Sequence, residues 1–430
     1  MRALPAGARP APRVLPRAQH PISRSLISRN TLKVLYRLHH AGFLAYLVGG
    51  AVRDLLLGRK PKDFDVGTDA TPQQVRRLFR NARIIGRRFR IARVQFAEEV
   101  VEVSTFRRKV EPEEPNGEEA SDALAPEAEG DEEYGTPEED AFRRDFTVNG
   151  LFYNIADFTV IDYVGGLADL ERKLVRAIGN PWERFVEDPV RMMRAVEYAV
   201  RLDFALEANT AQAIRELFRE IRRASAARLA YELGESLKSG HAAGISRLLW
   251  EFGLLPEILP FLAAYESEQQ ELFLRLLAQA DAVQASERLA EEALFALLVV
   301  PPLAKALGEA AAGVLPLGEL EAEVKLRVGE MAQLLAFSHY RGHLVRYGLL
   351  YLARLQQKPR SAKQTLRVLR HEAFPVAMDL LKVMAVADAG AAQALARWQD
   401  VRARVEAGKP LVEQRHERRR YPRRRKGVRG

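Results

Sequence analysis

The segment from residue 47 to residue 68, LVGGAVRDLLLGRKPKDFDVGT, restricts the fold of this chain more than any other stretch. The apolar run at 44–48 leads into the pair Gly49 and Gly50 and predicts a short buried strand. A second strand is predicted at 64–66, after a glycine turn whose backbone N–H groups can approach a phosphate. The segment therefore predicts the start of a mixed α/β unit with a ligand-binding turn.

Two carboxylates, Asp63 and Asp65, lie near the end of this segment. Side chains two apart on a strand project from the same face, about 6.6 Å apart along it. Carboxylates so placed repel each other unless a cation lies between them, and Mg²⁺ is commonly held by one or two carboxylates plus substrate phosphates. Asp63 and Asp65 are therefore candidate metal ligands, and two such ions would suit an in-line phosphoryl transfer. A D-x-D pair is common on its own, so this interpretation depends on the neighbouring motifs.

The charge is unevenly distributed along a chain whose net charge is +9. Residues 111–140 hold fourteen Asp/Glu and no Lys/Arg, whereas residues 415–430 hold nine Lys/Arg and one Glu. Between residues 22 and 110, nineteen Lys/Arg outnumber seven Asp/Glu. A basic domain favours a polyanionic substrate such as RNA, although a generically basic cytosolic protein would have the same balance.

The composition excludes several other classes of protein. The chain has no cysteine, which excludes disulfides and thiolate metal sites and fits a reducing cytoplasm. No run of 18 apolar residues occurs, so no membrane span is expected. Residues 1–21 contain four arginines, five prolines and no acid, without the apolar core of a secretory signal. We therefore expect a disordered basic arm there.

The segment at 47–68, which also contains Arg53 and Asp54, resembles the active-site signature of the nucleotidyltransferase superfamily. Two later segments extend the resemblance: RRDFTVNGLFYNIADFTVIDYVGG at 143–166 and EDPVRMMRAVEYAVRL at 187–202. Both are similar to motifs of the class II branch, which contains bacterial poly(A) polymerases and CCA-adding tRNA nucleotidyltransferases. Several ordered motifs at fitting spacing identify this branch far more specifically than one short pattern.

The resemblance implies an α/β (α+β) nucleotidyltransferase palm head with a five-stranded sheet, followed by an all-α neck and body. Helical spacing in nearly every segment beyond residue 167 agrees with that order. The expected boundaries are a disordered basic arm at 1–21, a catalytic head at 22–165 with an acidic mobile loop at 111–140, a base-recognition neck at 166–236, an RNA-binding body at 237–405 and a disordered Arg-rich tail at 406–430.

Local signals also predict individual elements of the head. Thr71 before Pro72 is a good helix start, and alternating apolar and polar residues are typical of half-buried strands. Helices are predicted at 28–41, 71–80 and 140–150, strands at 90–96 and 100–106, and a β-hairpin at 151–164.

The third carboxylate of the site has two candidates. The resemblance implies that Asp145, which follows two arginines, joins Asp63 and Asp65 as a catalytic residue. Glu102 lies in the middle of a predicted strand, where a buried unpaired carboxylate would cost several kcal/mol. Glu102 therefore faces water, pairs with an arginine or serves the metal.

The glycine turn and the arginine after it are candidates for binding the triphosphate of a nucleotide. Gly49 and Gly50 allow a close approach of the backbone to phosphate. Arg53 has a guanidinium suited to forking onto phosphate oxygens. The alternative for Arg53 is a salt bridge to Asp54 or Asp69.

Further nucleotide contacts are expected around Asp145. Adjacent arginines on a helix point in different directions, so of Arg143 and Arg144 we expect one, Arg144, to reach the nucleotide. Asn149 lies four residues after Asp145, on the same face of a predicted helix. Asn149 would bind a ribose hydroxyl or orient a neighbour, and helix capping is the alternative.

Glu187, Asp188, Arg191 and Arg194 form a charged cluster on one predicted helix. Asp188 and Arg191 are three residues apart and therefore share a face. The resemblance implies that this pair selects the incoming base, with an acceptor and forked donors in place of a nucleic-acid template. A surface ion pair is the alternative.

Two features favour polyadenylation over CCA addition within the class II branch. The string IIGRRFRIARVQF at 84–96 and the Arg-rich tail resemble the poly(A) polymerase version, and a polycation holds many RNAs regardless of sequence. We therefore expect a cytoplasmic enzyme that adds AMP from ATP to RNA 3′ ends, promoting RNA turnover, with a two-ion Mg²⁺ site. Its tail is a candidate contact for RNA-decay proteins.

Two alternatives remain at the level of the sequence. CCA addition to tRNA uses the same chemistry and the same motifs. A non-catalytic RNA-binding protein on a degenerate nucleotidyltransferase fold is disfavoured, because both carboxylates of the D-x-D pair and the RRD motif are intact.

Overall fold

The computed structural model describes residues 11–86, 90–108, 134–359 and 361–407. Most of the acidic loop predicted at 111–140, the first ten residues of the predicted basic arm and nearly all of the Arg-rich tail lie outside these residues. The chain divides into two compact units, Met1–Ala224 and Ser225–Gly430. The first is a mixed α/β unit and the second is all-helical, which confirms the predicted fold class.

Within the described part of the first unit, eight strands form one mixed sheet in the order β1-β8-β7-β2-β3-β6-β5-β4, and a short parallel pair, β9 and β10, lies apart. The strands are β1 Arg13–Leu15, β2 Ala45–Val48, β3 Asp65–Thr68, β4 Ala82–Ile85, β5 Ile91–Gln95, β6 Val100–Thr105, β7 Leu151–Asn154, β8 Val160–Asp162, β9 Leu174–Val175 and β10 Ala205–Leu206. The sheet thus exceeds the five strands that were expected.

The middle of the sheet places the predicted strands next to one another. β2 runs antiparallel to β3 and to β7, and Val48 lies opposite Asp65. β3 pairs with β6 in parallel, with Asp65 in register with Glu102. The predicted β-hairpin is confirmed as β7 and β8, which pair antiparallel.

The helices of the first unit are α1 Arg29–His40, α2 Gly50–Leu56, α3 Pro72–Leu78, α4 Pro137–Arg143, α5 Gly166–Arg172, α6 Pro181–Glu187, α7 Val190–Leu202 and α8 Ala208–Leu217. Local capping explains two predicted starts. The Ser28 hydroxyl accepts a hydrogen bond from the Thr31 N–H ahead of α1. Thr71 and Gln74 form a capping box at α3, with Pro72 in the first turn.

The prediction of a disordered arm at 1–21 is wrong for its second half. Residues 13–15 form the edge strand β1, which pairs antiparallel with β8. The His20 ring is buried, with Nε2 2.8 Å from the Phe158 carbonyl oxygen. This pairing satisfies backbone N–H and C=O groups of β8 that would otherwise lie unpaired at the edge of the sheet.

The predicted bounds of the helix at 140–150 are also wrong, because the observed helix α4 begins and ends earlier in the chain. Thr136 and Glu139 form a capping box, so α4 starts at Pro137, inside the segment that was predicted to be a mobile loop. Arg144 leaves the helix with ψ 168°, and a separate 3₁₀ turn follows at Thr147–Asn149.

An aromatic cluster packs α4 against the sheet. Tyr46, Phe106 and Phe152 are buried, with ring centroids 5.8–6.3 Å apart, and Ala141 of α4 joins them. Burial of aromatic rings dominates local stability. The cluster therefore fixes the end of α4, where the RRD motif begins, over the strands that carry the carboxylates.

The second unit consists of helices α9 Ala226–Lys238, α10 Ala242–Glu251, α11 Leu254–Ile258, α12 Ser267–Gln284, α13 Glu291–Leu297, α14 Val300–Ala312, α15 Leu317–Leu334, α16 His339–Gln356, α17 Ala362–Leu369, α18 Phe374–Ala385 and α19 Ala389–Glu406. Trp398 is buried at its core and donates from Nε1 to the Leu355 carbonyl oxygen at 2.8 Å. Among the described residues, no single helix could span a membrane; only α13 and α14, bent by 95°, have enough length and apolar character together.

Gly67→Ala tests the packing under the central strands. A Cβ at Gly67 would lie 2.6 Å from Phe106 Cε1 and 3.0 Å from Val48 Cγ1. Overpacking of this kind costs about 1–3 kcal/mol, so we expect faster hydrogen exchange of the β2 and β3 amides. Gln73→Ala, at an exposed site on α3, is the matched control and should leave that exchange unchanged. Equal exchange in both variants would contradict the packing described.

Candidate active site

The predicted metal ligands lie where β3 begins. Asp65 is the first residue of β3, while Asp63 lies in the preceding loop and is exposed. The expectation that the two carboxylates share one strand is therefore wrong. Asp65 is accessible to solvent, yet protein surrounds it closely: desolvation, together with the negative charges of Glu102 and Asp63, raises its pKa to about 6 against the opposing charge of Arg144. This clustering of negative charge suits a cation.

Glu102 is the carboxylate that the sheet brings beside Asp65. The parallel pairing of β3 and β6 places the two residues in register. On its other side Glu102 faces β5, where Arg93 donates from Nε to Glu102 Oε1 at 2.9 Å. Both partners of that ion pair are substantially exposed, so it is weak and can be exchanged for another cation. Glu102 thus faces water, an arginine and the Asp65 carboxylate.

Asp145 has a different environment, because it is buried and paired. Its Oδ2 lies 2.7 Å from Arg194 Nη2, and Oδ1 accepts hydrogen bonds from the Phe146 N–H and from Asn149 Nδ2. Burial by itself would raise the pKa of Asp145, but the Arg194 charge and these hydrogen bonds outweigh it and lower the pKa. Glu102, rather than Asp145, is the residue in register with Asp65.

Arg53 is buried and paired with Asp54, one of the two alternatives considered for it. Its Nε donates to Asp54 Oδ1 at 2.8 Å, and its Nη1 donates to the Asn149 side-chain oxygen. The guanidinium also lies over the Tyr198 ring, 5.2 Å from the centroid. Arg53 thus holds the Asn149 side chain through a hydrogen bond. Asp69 is engaged elsewhere and accepts a hydrogen bond from the Leu44 N–H.

Arg144 lies against the glycine turn. Gly49 has a φ of +71°, and a Cβ there would be 3.0 Å from Arg144 Nη1. Only glycine allows both that backbone angle and that close approach. Arg144 also pairs with Asp140 at 2.9 Å and lies over the Phe152 ring. Arg144 is therefore the cation of the RRD motif that lies beside Gly49, and its charge opposes the rise in the pKa of Asp65.

The cluster predicted on one helix is divided between two. Glu187 ends α6, Asp188 caps it in an extended conformation, and α7 begins at Val190. The cause is Pro189, because a residue before proline is disfavoured in the helical region. Asp188 Oδ2 and Arg191 Nε are 4.0 Å apart, which is longer than a hydrogen bond.

Arg184 is a residue that the sequence analysis missed. It is buried in α6 and donates from Nη2 to the backbone oxygens of Arg143 and Arg144, at 2.6 and 2.8 Å. Its Nη1 donates to Glu187 Oε2 at 2.7 Å, and the same oxygen accepts from Arg191 Nη1. Arg184 thus ties the RRD motif to the predicted base-reading residues. An arginine three residues before Glu187 was the available signal.

Arg194 and Tyr198 complete this network on α7. Arg194 Nη2 donates to the Tyr198 hydroxyl at 3.1 Å, in addition to its ion pair with Asp145. Tyr198 packs edge-on against Phe146 and supports Arg53 from the other side. The nucleotide-binding residues named from the sequence are therefore brought together, several of them through contacts with one another.

Comparison with known proteins places this site in a family. Residues 45–176 match the model for the poly A polymerase head domain, and residues 203–266 match the model for the probable RNA and SrmB-binding site of polymerase A. Poly(A) polymerase I of Salmonella typhi is 40% identical over 405 residues, which cover 91% of this chain and 86% of that protein. The chain belongs to the poly(A) polymerase I family.

A CCA-adding enzyme matches a smaller part of the chain in sequence, and a second one shares its fold. The CCA-adding enzyme of Bacillus velezensis is 37% identical over 244 residues, covering 56% of this chain and 58% of that enzyme. The crystal structure of the Bacillus stearothermophilus CCA-adding enzyme in complex with CTP shares the fold, with a TM-score of 0.62, 24% identity and coverage of 91% of this chain and 90% of that one. The sequence similarity to poly(A) polymerase I of Salmonella typhi extends over most of both units.

Arg184→Met tests the tie between the RRD motif and α6. The substitution leaves two backbone oxygens without their donor and removes one of the two donors to Glu187 Oε2. We therefore expect a loss of about 3 kcal/mol in the free energy of unfolding of the first unit. Arg223→Met is the control, because Arg223 forms only an exposed ion pair with Glu220 and should cost less than about 1 kcal/mol. Urea unfolding of both variants measures the difference, and equal losses would exclude the proposed tie.

Asp65→Asn tests the charge cluster in the metal-free protein. The folded pKa of Asp65, about 6, lies above the ordinary 3.8. The contribution of protonated Asp65 to the free energy of unfolding is therefore fully present below pH 4 and is lost as the pH rises through 6. Asparagine cannot ionise, so the variant should gain stability over the parent between pH 4 and pH 8, by on the order of 1 kcal/mol because Asp65 is partly screened by solvent. Unfolding in chelator at both pH values measures the gain, with Glu98→Gln as control; a pH-independent difference would contradict it.

Proposed function

We propose that this chain is a template-independent polynucleotide adenylyltransferase, which transfers AMP from ATP to an RNA 3′-hydroxyl and releases pyrophosphate. The observation that carries the proposal is the similarity to poly(A) polymerase I over 91% of the chain. The clustered carboxylates of Asp63, Asp65 and Glu102, beside a glycine turn and Arg144, are suited to that chemistry. ATP and RNA 3′ ends are the proposed substrates.

Enzymes of the nucleotidyltransferase family generally use divalent metal ions. Among the described residues, no group of three or more His, Cys, Asp or Glu side chains has metal-site geometry. The donor set nevertheless fits a hard cation, because it consists of carboxylate oxygens. Desolvation, together with the negative charges of Glu102 and Asp63, raises the pKa of Asp65. We propose that Asp63 and Asp65 hold Mg²⁺ with help from Glu102. The bound ions would lower the pKa of the 3′-hydroxyl and neutralise the leaving pyrophosphate.

The remaining residues would bind and orient ATP. Arg144, held against Gly49 by the turn, supplies positive charge where the triphosphate would lie. Asn149, fixed by Arg53 and Asp145, presents its amide for a ribose hydroxyl. Asp145, which the sequence grouped with the metal ligands, is proposed to act by fixing Arg194 and Asn149 in place.

The base of ATP would be read by Asp188 and Arg191. The two side chains lie 4.0 Å apart, where a base edge could accept from the guanidinium and donate to the carboxylate. Arg191 is held in position from behind, because its Nη1 donates to the Arg184 carbonyl oxygen and to Glu187. This arrangement would allow nucleotide choice without a template.

CCA addition to tRNA is the second candidate function, favoured by the relatives that carry that name. The absence of cysteine from the chain fits a cytoplasmic location for either activity. The Arg-rich tail is proposed as a contact for RNA and for RNA-decay proteins.

A primer-extension assay with Mg²⁺ distinguishes the two candidates. The substrates are an unstructured RNA and a tRNA that lacks its CCA end, with ATP and CTP supplied singly and together. We expect long adenosine tails on the unstructured RNA with ATP alone. Growth confined to tRNA, dependent on CTP and ended after three nucleotides would instead establish CCA addition.

Two variants test the carboxylates in the same assay. Asp63→Ala and Asp65→Ala should each lower AMP transfer by at least about a hundredfold, because the charge of the transition state loses its stabilisation. Both residues are accessible, so the fold should persist by circular dichroism. Glu98→Gln, an exposed carboxylate outside the cluster, is the control. Transfer retained by either alanine variant would refute the site.

A further inference from the structure

A groove in the second unit combines aromatic and basic side chains. It is bordered by α15, α16 and α17 and has a volume of about 530 Å³. Its floor is apolar, formed by Leu317, Leu350 and Val368. The groove lies outside residues 203–266, the range that matches the RNA-binding family model.

Four rings from α16 and the residues after α17 form one continuous aromatic cluster. The centroid of His343 lies 4.4 Å from that of Tyr347, and the Tyr347 centroid lies 5.3 Å from that of His371. Tyr351 follows at 4.3 Å from His371, with the ring planes tilted by 30°. Successive turns of α16 place His343, Tyr347 and Tyr351 on one face. Rings arranged in this way resemble the stacking platforms that bind unpaired bases.

His371 lies in the middle of the aromatic cluster, between Tyr347 and Tyr351. Burial, with the positive charges of His343 and Arg367, lowers the pKa of His371 below its ordinary 6.5. The His343 ring lies against the Glu372 carboxylate, with Nε2 2.9 Å from Oε1. The two histidines thus pack against Tyr347 and Tyr351, which are the rings that line the groove.

Positive charge surrounds these rings. Arg354, Lys363 and Arg367 line the groove, and none of them has an ion-pair partner among the residues that the structure describes. The one carboxylate of the lining, Glu321, is neutralised by Arg346 at 2.6 Å. Burial raises the pKa of the Tyr351 phenol, and the charges of Arg367 and Arg354 oppose that rise, so both guanidinium groups lie near the ring.

We propose that this groove binds single-stranded RNA, stacking a base on Tyr351 and Tyr347 while Arg354, Lys363 and Arg367 contact phosphates. The proposal takes its ligand class from the proposed function, in which RNA is a substrate, and adds a second contact for the same strand. Aromatic stacking is tolerant of sequence because every base has a π-face. The groove would therefore hold many different RNAs.

The stacking surface is tested with Tyr351→Leu and Tyr351→Phe in the full chain. The probe is a fluorescein-labelled oligoadenylate of about 20 nucleotides, followed by anisotropy. Leucine keeps the bulk and removes the ring, so we expect the Kd to rise about tenfold. Phenylalanine keeps the ring and should bind like the parent. A thermal melt of each variant separates loss of binding from loss of folding.

The charges are tested independently with Arg354→Gln and Arg367→Gln, which remove no buried contact of the core. Each should lower the slope of log Kd against log salt by about 0.7, the value for one phosphate contact on a single strand. Arg275→Gln, an exposed arginine of α12 outside the groove, is the matched control. Its salt slope should fall less than theirs.

Steady-state kinetics keep this proposal distinct from the proposed activity. In the Tyr351→Leu variant the KM for RNA should rise about tenfold, while kcat and the KM for ATP stay unchanged. An unchanged Kd, KM and salt slope in all groove variants, with AMP transfer intact, would overturn the groove alone. Absence of AMP transfer by the parent protein would overturn the function, while the anisotropy result would still decide the groove.

Discussion

A parallel pairing of two strands sets the electrostatics on which the site depends. β3 and β6 are held in register with Asp65 beside Glu102, and Asp63 approaches from the preceding loop. The strand pairing keeps Asp65 and Glu102 side by side, so the repulsion between these two carboxylates persists in the folded protein. A divalent cation at the proposed site would relieve that repulsion, with the same carboxylates as its ligands. Within the protein, Arg144 and Arg93 supply part of that compensation.

The positive side of the site has one common support. Arg184 holds the backbone of the RRD motif through two carbonyl oxygens and also meets Glu187, which in turn contacts Arg191. The residues proposed for phosphate binding and for base reading are thus linked through one buried guanidinium. Removing one partner of such a group is costly because the others lose their donor. This gives Arg184 a role in positioning although it need not touch the substrate.

The parts of the fold that depend on local chemistry could be predicted from the sequence. The start of α3 follows from Thr71, Pro72 and Gln74 alone. The break between α6 and α7 is also encoded locally, since Pro189 keeps Asp188 out of the helical conformation, whereas the spacing of the charged cluster by itself predicts one continuous helix. The helix that contains Asp140 begins earlier than the prediction, because its capping box of Thr136 and Glu139 lies inside an acidic segment that is otherwise typical of a loop.

The parts that depend on strand register or distant contacts could not be predicted in this way. Glu102 becomes a neighbour of Asp65 only once β3 and β6 pair, and no spacing in the chain encodes that register. Arg184 bonds with carbonyl groups about forty residues earlier in the chain. Whether Arg53 binds phosphate or pairs with Asp54 depends on the burial of its side chain, which the sequence does not show.

The most direct test of the charge cluster is the number of protons released when Mg²⁺ binds. Calorimetry in buffers of different ionisation enthalpy measures it for the parent protein and for Glu102→Gln. With the pKa of Asp65 at about 6, the parent should release about half a proton at pH 6 and almost none at pH 8, and Glu102→Gln should release less at pH 6. Binding that releases no proton at pH 6, or that is unchanged in the variant, would contradict the assignment of these carboxylates to the metal.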